Sequence, residues 1–530
     1  MNKRLLKVLL IFTLLLSIKT GTQAQTTDLP KVIKPSPEVS TLFKFQDYPM
    51  DYSTGLPQIT IPLYQVKSGS LGLSLSLSYH ASGRKVYDQD GAIAANWSLS
   101  SGGMISRTAK GSVDFGTPTQ GTFTFPNPFK LDNLTNYDDL NYLQKIIHLD
   151  NYDCNTLPWS DSEFDIFSYS FAGKSGKFFF KDNAGVKTPV LLPYKPYKIT
   201  PYYTNTGITS FEIIDDEGIF YQFTPTDSYN HASNATITGW SLTKIVSANK
   251  ADTISISYTG ASEKRTTISQ STVLIDDWSI QGEAYPLNYL TDYETTNEEN
   301  YQTPRLSQIT FKQGKLMVEF VAGTSKIDNI KVLDNANSLF RQIQFSRSQL
   351  YSQSELQQAV NKLDGILFKD KNNNTVETYS FEYYPVITSN GQLNPRYCDW
   401  WGYYNNSGQH DYVPRWTGLN YNAPGGNQSI SVGNPASNRN PSLEPVKSGV
   451  LKKITYPTGG STELIYELNK CTLNGSAGTP INGPGLRLYQ QKTEDQNGNI
   501  HFKTFKYGVD ENGYGAIDLL PEMSYMTTEL

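Results

Sequence analysis

The stretch LKKITYPTGGSTELIYE, residues 451–467, decides the fold. Ile454 and Tyr456 lie two apart before Pro457-Thr458-Gly459-Gly460, and Leu464 and Tyr466 lie two apart after it. That is the period of a strand, a turn and a returning strand. The same outline recurs in LTKIVSANKADTISISY from Leu242, LSQITFKQGKLMVEF from Leu306 and LDGILFKDKNNNTVETYSFEYY from Leu363. Each copy opens Leu-x-x-Ile, turns, and closes on an apolar-x-aromatic pair. The starts are 64, 57 and 88 residues apart, so no fixed solenoid period holds. The reading is an array of hairpins with inserts of variable length, each expected to bury its leading Leu or Ile.

Composition supports strands and turns. Apolar residues make up 38% and charged residues 18% of 530, and 35 Tyr and 24 Phe supply bulk for a core cut by 40 Gly and 28 Pro. A net charge of −5 spread along the chain gives no footprint for nucleic acid or an anionic membrane. Residues 1–24 read as a signal peptide: Lys3, Arg4 and Lys7 precede an apolar run from Val8 to Ile18, and Thr22-Gln23-Ala24 fits a cleavage site. The mature chain is expected to start near Gln25 and to be secreted or displayed at the cell surface. No later apolar stretch is long enough to span a bilayer.

Beyond the signal, the patterns divide the chain. Residues 25–115 read as an amino-terminal β domain, in which Leu71, Leu73, Leu75, Leu77 and Tyr79 alternate with small polar residues. Residues 116–417 read as a hairpin-rich β region, with turns at 173–176 and 216–218 and one short helix over DDLNYLQKIIHL, residues 138–149. Residues 418–448 read as a linker or long loop, and 449–530 as further hairpins, the last turning at Asn497-Gly498. The fold class is all-β, with antiparallel hairpins forming sandwiches or a curved, shell-like sheet.

Candidate chemistry is sparse. Cys154, Cys398 and Cys471 are too far apart for a metal motif and too few for a disulfide framework. His80 is followed by Asp88 and Asp90, but no nucleophile turn accompanies it. Acid pairs for glycoside hydrolysis exist by type at Asp138-Asp139, at Asp161, Glu163 and Asp165, and at Asp215-Asp216-Glu217, each in a turn or strand end. Asp370, Asn372 and Asn374 alternate like calcium ligands, yet Thr375 and Phe381 stand where a calcium loop needs Gly and Glu. No catalytic residue, metal or cofactor is assigned. CDWWGYYNN gathers Trp400, Trp401, Tyr403 and Tyr404, which would stack on a surface glycan if exposed and serve as core or plug if buried. Alternation puts Trp401 and Tyr403 on one face and Trp400 and Tyr404 on the other.

An ordered series of segments resembles the amino-terminal region of the RHS/YD-repeat proteins of Bacteroidetes-type bacteria. The series is DYSTGLPQITIPLY, LSLSYHASGRKV, NWSLSSGGMISR, SEFDIFSYSFAGKSGKFFF, ITGWSLTKIVS, WWGYYN, GVLKKITYPTGGSTELIYE and GPGLRL, spread over about residues 50–490. The resemblance implies an exported, strand-rich scaffold whose repeats wind into a shell or filament, often ahead of a variable toxin or effector domain. The chain carries no run of YD repeats of the G-x-x-x-R-Y-x-Y-D-x-x-G type. The expected partners are further RHS/YD-repeat segments or an effector domain, with surface glycans as the alternative. Because a sheet made by adding hairpins exposes its last strand, residues 1–530 are expected to lead a longer repeat-bearing product or to need a partner that continues the sheet.

Overall fold

The computed structural model describes residues 48–110, 164–183, 186–204, 207–231, 234–274, 290–353, 356, 358–388, 391–408, 414, 416–423, 426–432, 434–473, 480–508 and 513–517. The helix expected over 138–149 and the boundary expected near 115 lie outside them, as do Cys154 and the signal segment.

Among the described residues, 21 strands join into one sheet. From Lys198–Thr204 through Thr375–Tyr383 each strand pairs antiparallel with the next along the chain. After an insertion at 384–450, the strands Leu451–Thr455, Ser461–Leu473, Ile481–Glu494 and Ile500–Thr504 resume the same order. Gly103–Thr108 joins the edge of Asn234–Val246 and leads a side branch through Ile166–Phe171, Lys174–Asn183 and Val186–Leu192. The hairpin between Ile166–Phe171 and Lys174–Asn183 turns at Ala172-Gly173, two residues before the expected position. Both of those residues have positive φ, 47° and 76°, the backbone a two-residue hairpin turn needs to match strand twist.

Period two alone would place the Leu and the Ile of Leu-x-x-Ile on opposite faces. All eight are buried: Leu242, Ile245, Leu306, Ile309, Leu363, Ile366, Leu451 and Ile454. A β-bulge resolves the conflict in every copy. The register against the preceding strand skips one residue directly after the Leu, at Thr243, Ser307, Asp364 and Lys452. The extra residue turns the Leu back to the face that carries the Ile.

The bulge also frees the Leu carbonyl from the ladder, and the closing aromatic collects it. The hydroxyls of Tyr258, Tyr383 and Tyr466 donate to the carbonyls of Leu242, Leu363 and Leu451 at 3.0, 2.8 and 3.0 Å. Each of these tyrosines stands four residues beyond the cross-strand partner of the Ile: Ile254, Tyr379 and Thr462. In the Leu306 hairpin the partner is Leu316, and Phe320 occupies the tyrosine position. Burial raises the hydroxyl pKa of Tyr258, Tyr383 and Tyr466, so each stays a donor.

A fifth unit was not legible as Leu-x-x-Ile. Tyr489 is bulged after Leu488, buried Gln491 takes the Ile position, and Tyr507, four residues past the partner Lys503, donates to the Leu488 carbonyl at 2.6 Å. The hairpins interlock in series, because the closing Tyr of one lies opposite the leading Leu of the next: Tyr258 with Leu306, Tyr383 with Leu451, Tyr466 with Leu488.

A separate three-stranded sheet, Ile59–Ser68, Leu71–Tyr79 and Trp97–Ser100, packs on this apolar face and shares one core with it. Leu71, Leu73, Leu75, Leu77 and Tyr79 form the buried stripe their alternation requires. The same region satisfies the bulges from the inside. The Leu451 N–H donates to the Tyr79 hydroxyl at 2.9 Å, the Leu488 N–H to the Gly55 carbonyl at 2.9 Å, and Trp97 Nε1 to the Tyr383 hydroxyl at 2.9 Å. Buried backbone groups that the ladder cannot pair thus find partners in the first described residues.

The segment expected as a linker, 418–448, is more ordered than a loop. Trp416–Ala423 and Gly426–Val432 form a two-stranded sheet, and Leu443–Val446 is a short helix whose Pro445 and Val446 are buried. Its Asn, Gly and Pro content reads as a loop because the strands are short and the anchoring contact comes from one helical turn.

Candidate functional site

The aromatic segment is positioned by Asp399. This carboxylate is fully buried, and its Oδ1 accepts the N–H groups of Trp401 and Tyr403 at 2.9 Å each, while the Gly402 N–H donates to the Asp399 carbonyl. The result is a tight turn with Gly402 at φ 90°, and not the extended strand that alternation assumes. Tyr403 and Tyr404 are therefore both buried, Tyr403 in the main core and Tyr404 in a smaller cluster with Val86, Tyr351, Val360, Leu393 and Cys398. Trp401 is half-buried against the main core, and Trp400 is half-buried with the Arg439 guanidinium 5.8 Å from its ring. The four rings do not share one exposed face on which a sugar would stack.

The turn stitches distant parts of the chain together. The Val86 N–H donates to the Gly402 carbonyl, Lys85 bridges Tyr403, and the Asn405 side chain donates to the carbonyls of Asn438 and Asn440. Gly485 passes so close that a Cβ there would meet the Ser82 carbonyl at 2.7 Å and Tyr403 at 2.9 Å, with φ at 67°. Burial pushes the Asp399 carboxyl up to about 6, against the pull of the N–H groups of Tyr403 and Trp401 and the nearby Arg439 charge. The Cys398 thiol, 3.4 Å from Arg439 Nη1, is also raised by burial.

The other candidates are engaged in local structure. His80 Nε2 lies 2.7 Å from the Ser82 hydroxyl. Asp88 accepts from the Lys85 N–H, and Asp90 pairs with Arg84 at 3.1 Å and accepts from the Asn361 N–H. Neither acid orients the imidazole. Asp165 is buried against Arg107, and buried Asp215 holds the turn ahead of Tyr221, accepting from the N–H groups of Glu217 and Ile219 and facing Lys174 at 3.4 Å. Asp138, Asp139, Asp161 and Glu163 lie outside the described residues. Asp370 accepts from the N–H groups of Asn372 and Asn374, which is an Asx turn within a hairpin. Among the described residues no three or more His, Cys, Asp or Glu side chains gather as a metal site, and no helix is long and apolar enough to cross a membrane.

The closing strand of the fifth hairpin, Ile500–Thr504, is exposed at all five residues, with Phe502 62% exposed. It pairs with Ile481–Glu494 on one side, and among the described residues no strand pairs with its other side. The Phe505 N–H is spent inward on the Tyr489 carbonyl, so by alternation the backbone groups of Ile500, Phe502 and Thr504 point outward. Sequence reasoning found this hairpin, because Asn497-Gly498 marks its turn. It missed the bulge-and-tyrosine units, whose signal is the Leu-x-x-Ile spacing itself.

Compared with known proteins, the chain matches no family model and no curated sequence.

Proposed function

We propose that the chain is an exported structural β-scaffold, comparable to the amino-terminal part of an RHS/YD-repeat protein, that acts by assembly and not by catalysis. The observation that carries the reading is the repeated unit: five hairpins with the same bulged leading strand along a single sheet, three of them setting a closing Tyr opposite the leading Leu of the next. Such a unit extends a surface by addition, which suits a shell or filament better than a pocket enzyme. Export rests on the signal-like residues 1–24. Burial of Tyr403 and Tyr404 weighs for the structural role of the aromatic segment over glycan stacking. An effector domain or further repeat segments are the partners this reading assigns.

Fractionation of cells expressing the whole chain tests the proposal. The expected product lies in the exported fraction, begins at Gln25, and when purified turns over neither polysaccharide nor peptide substrates. Retention inside the cell with residues 1–24 attached, or turnover abolished by His80→Ala, would overturn it.

A further inference from the structure

We infer that the turn at Asp399 is an acid-tightened joint, in which proton uptake on the buried Oδ2 of Asp399 closes the turn more firmly onto the distant segments it holds. This applies whether or not the chain acts as a scaffold.

Five turns share one build, and one of them stands apart. At Asp215, Asp334, Asp370, Asp399 and Asp495 the Asp N–H donates to the carbonyl four residues on, and the N–H three residues on donates back to the Asp carbonyl. In each, Oδ1 accepts the N–H groups two and four residues on. The residue three on has positive φ in every case: Gly218, Asn337, Asn373, Gly402 and Gly498. What differs is the second carboxylate oxygen. Asp215 Oδ2 accepts from the Tyr221 hydroxyl at 3.1 Å and faces Lys174 at 3.4 Å. Asp370 and Asp495 Oδ2 accept from the side-chain amides of Asn374 and Asn499 at 3.2 and 2.8 Å, and Asp334 is exposed. Asp399 is fully buried, and its Oδ2 has no donor among the described residues. A proton on Oδ2 therefore costs neither Oδ1 bond and removes a charge that burial penalises.

The surrounding groups set the balance. The Arg439 guanidinium, against Cys398 Sγ and the Trp400 ring, is the cation that favours the ionised form. Cys398 and Tyr403 lie on the same segment, and Lys85 and Asp88 stand beside Tyr403. Burial outweighs the N–H groups and the Arg439 charge, and lifts the carboxyl from 3.8 to about 6. Closing the turn thus takes up a proton. The gain is full below the ordinary carboxyl value and is lost as pH rises through about 6. Asp370 and Asp495 behave oppositely: the Asn374 N–H and the Asn499 amide hold their carboxyls below the ordinary value, so those turns loosen only in stronger acid. The Asp399 turn has more to hold. Its Gly402 carbonyl accepts the Val86 N–H, its Trp400 N–H donates to the Arg439 carbonyl, and Tyr403 packs on Gly83 and Gly485.

Hydrogen exchange of the purified chain, resolved at the Trp401 and Tyr403 amides and corrected for intrinsic rates, tests the joint between about pH 7.5 and about pH 5. Protection of both amides should rise about tenfold toward the acid end, while the Asn374 and Asn499 amides, whose Asp partners stay ionised throughout, should hold level. Asp399→Asn keeps the Oδ1 acceptor and imitates the neutral group, so its protection should match that of acidified wild type at both ends of the range. Arg439→Gln removes the nearby cation and should move the midpoint of the rise to higher pH. A flat wild-type profile, an equal rise at Asn374 and Asn499, or a rise that survives in Asp399→Asn would overturn the joint. So would an unmoved midpoint in Arg439→Gln.

Discussion

The Leu451 hairpin and the Leu488 hairpin use the same device at neighbouring places and differ in what surrounds it. In the first, Ile454 and Tyr466 are buried, and strands flank the unit on both sides. In the second, Gln491 replaces the Ile, the closing strand is exposed, and its inward-facing His501 and Lys503 meet solvent. The bulge and the tyrosine hydrogen bond persist in both, so backbone satisfaction, and not side-chain burial, is what these two hairpins share. Burial varies with whether another strand follows.

The largest contrast should come from the Ile position. Ile454→Ala is expected to cost about 2–4 kcal/mol through a cavity, whereas Gln491→Ala should cost less than about 1.5 kcal/mol because less apolar packing is lost. Equal losses in denaturant titrations would break the comparison. Next in size is the tyrosine hydroxyl: Tyr466→Phe should cost about 1–3 kcal/mol, since it strands a buried carbonyl. Tyr507→Phe should cost less, because its closing strand can fray and admit water. The Leu306 hairpin offers the reverse experiment. Phe320 sits at the tyrosine position, so Phe320→Tyr should add a hydrogen bond to the Leu306 carbonyl and gain about 0.5–1.5 kcal/mol, read as a raised unfolding midpoint. The smallest effect belongs to the edge: Phe502→Pro should shift the midpoint by no more than about 0.5 kcal/mol, the range of exposed substitutions.

The sequence made the hairpins legible because turn residues and period-two alternation are local. The turns at Asp216-Glu217-Gly218 and Asn497-Gly498 fall where Gly, Asn and Asp predicted them. The bulges were harder to see. Leu-x-x-Ile conflicts with period two, and the conflict was itself the signal of an extra residue, but its resolution depends on a neighbouring strand far away in the chain. The fifth hairpin escaped because Gln491 breaks the Leu-x-x-Ile pattern. The aromatic segment was misread as a strand because its geometry is set by the buried Asp399 carboxylate, a tertiary feature that no local alternation encodes. Which aromatics are exposed was likewise decided by packing on Val86, Ser82 and Gly485, residues 80 or more positions removed.

Equilibrium unfolding of Tyr466→Phe, followed by the fluorescence of buried Trp97 and Trp240, tests the central claim that a tyrosine hydroxyl on a bulge carbonyl is the joint of four of the five repeats. The account predicts a midpoint lowered by about 1–3 kcal/mol of stability with the slope against denaturant preserved. An unchanged midpoint, with the variant folded as the parent, would contradict it.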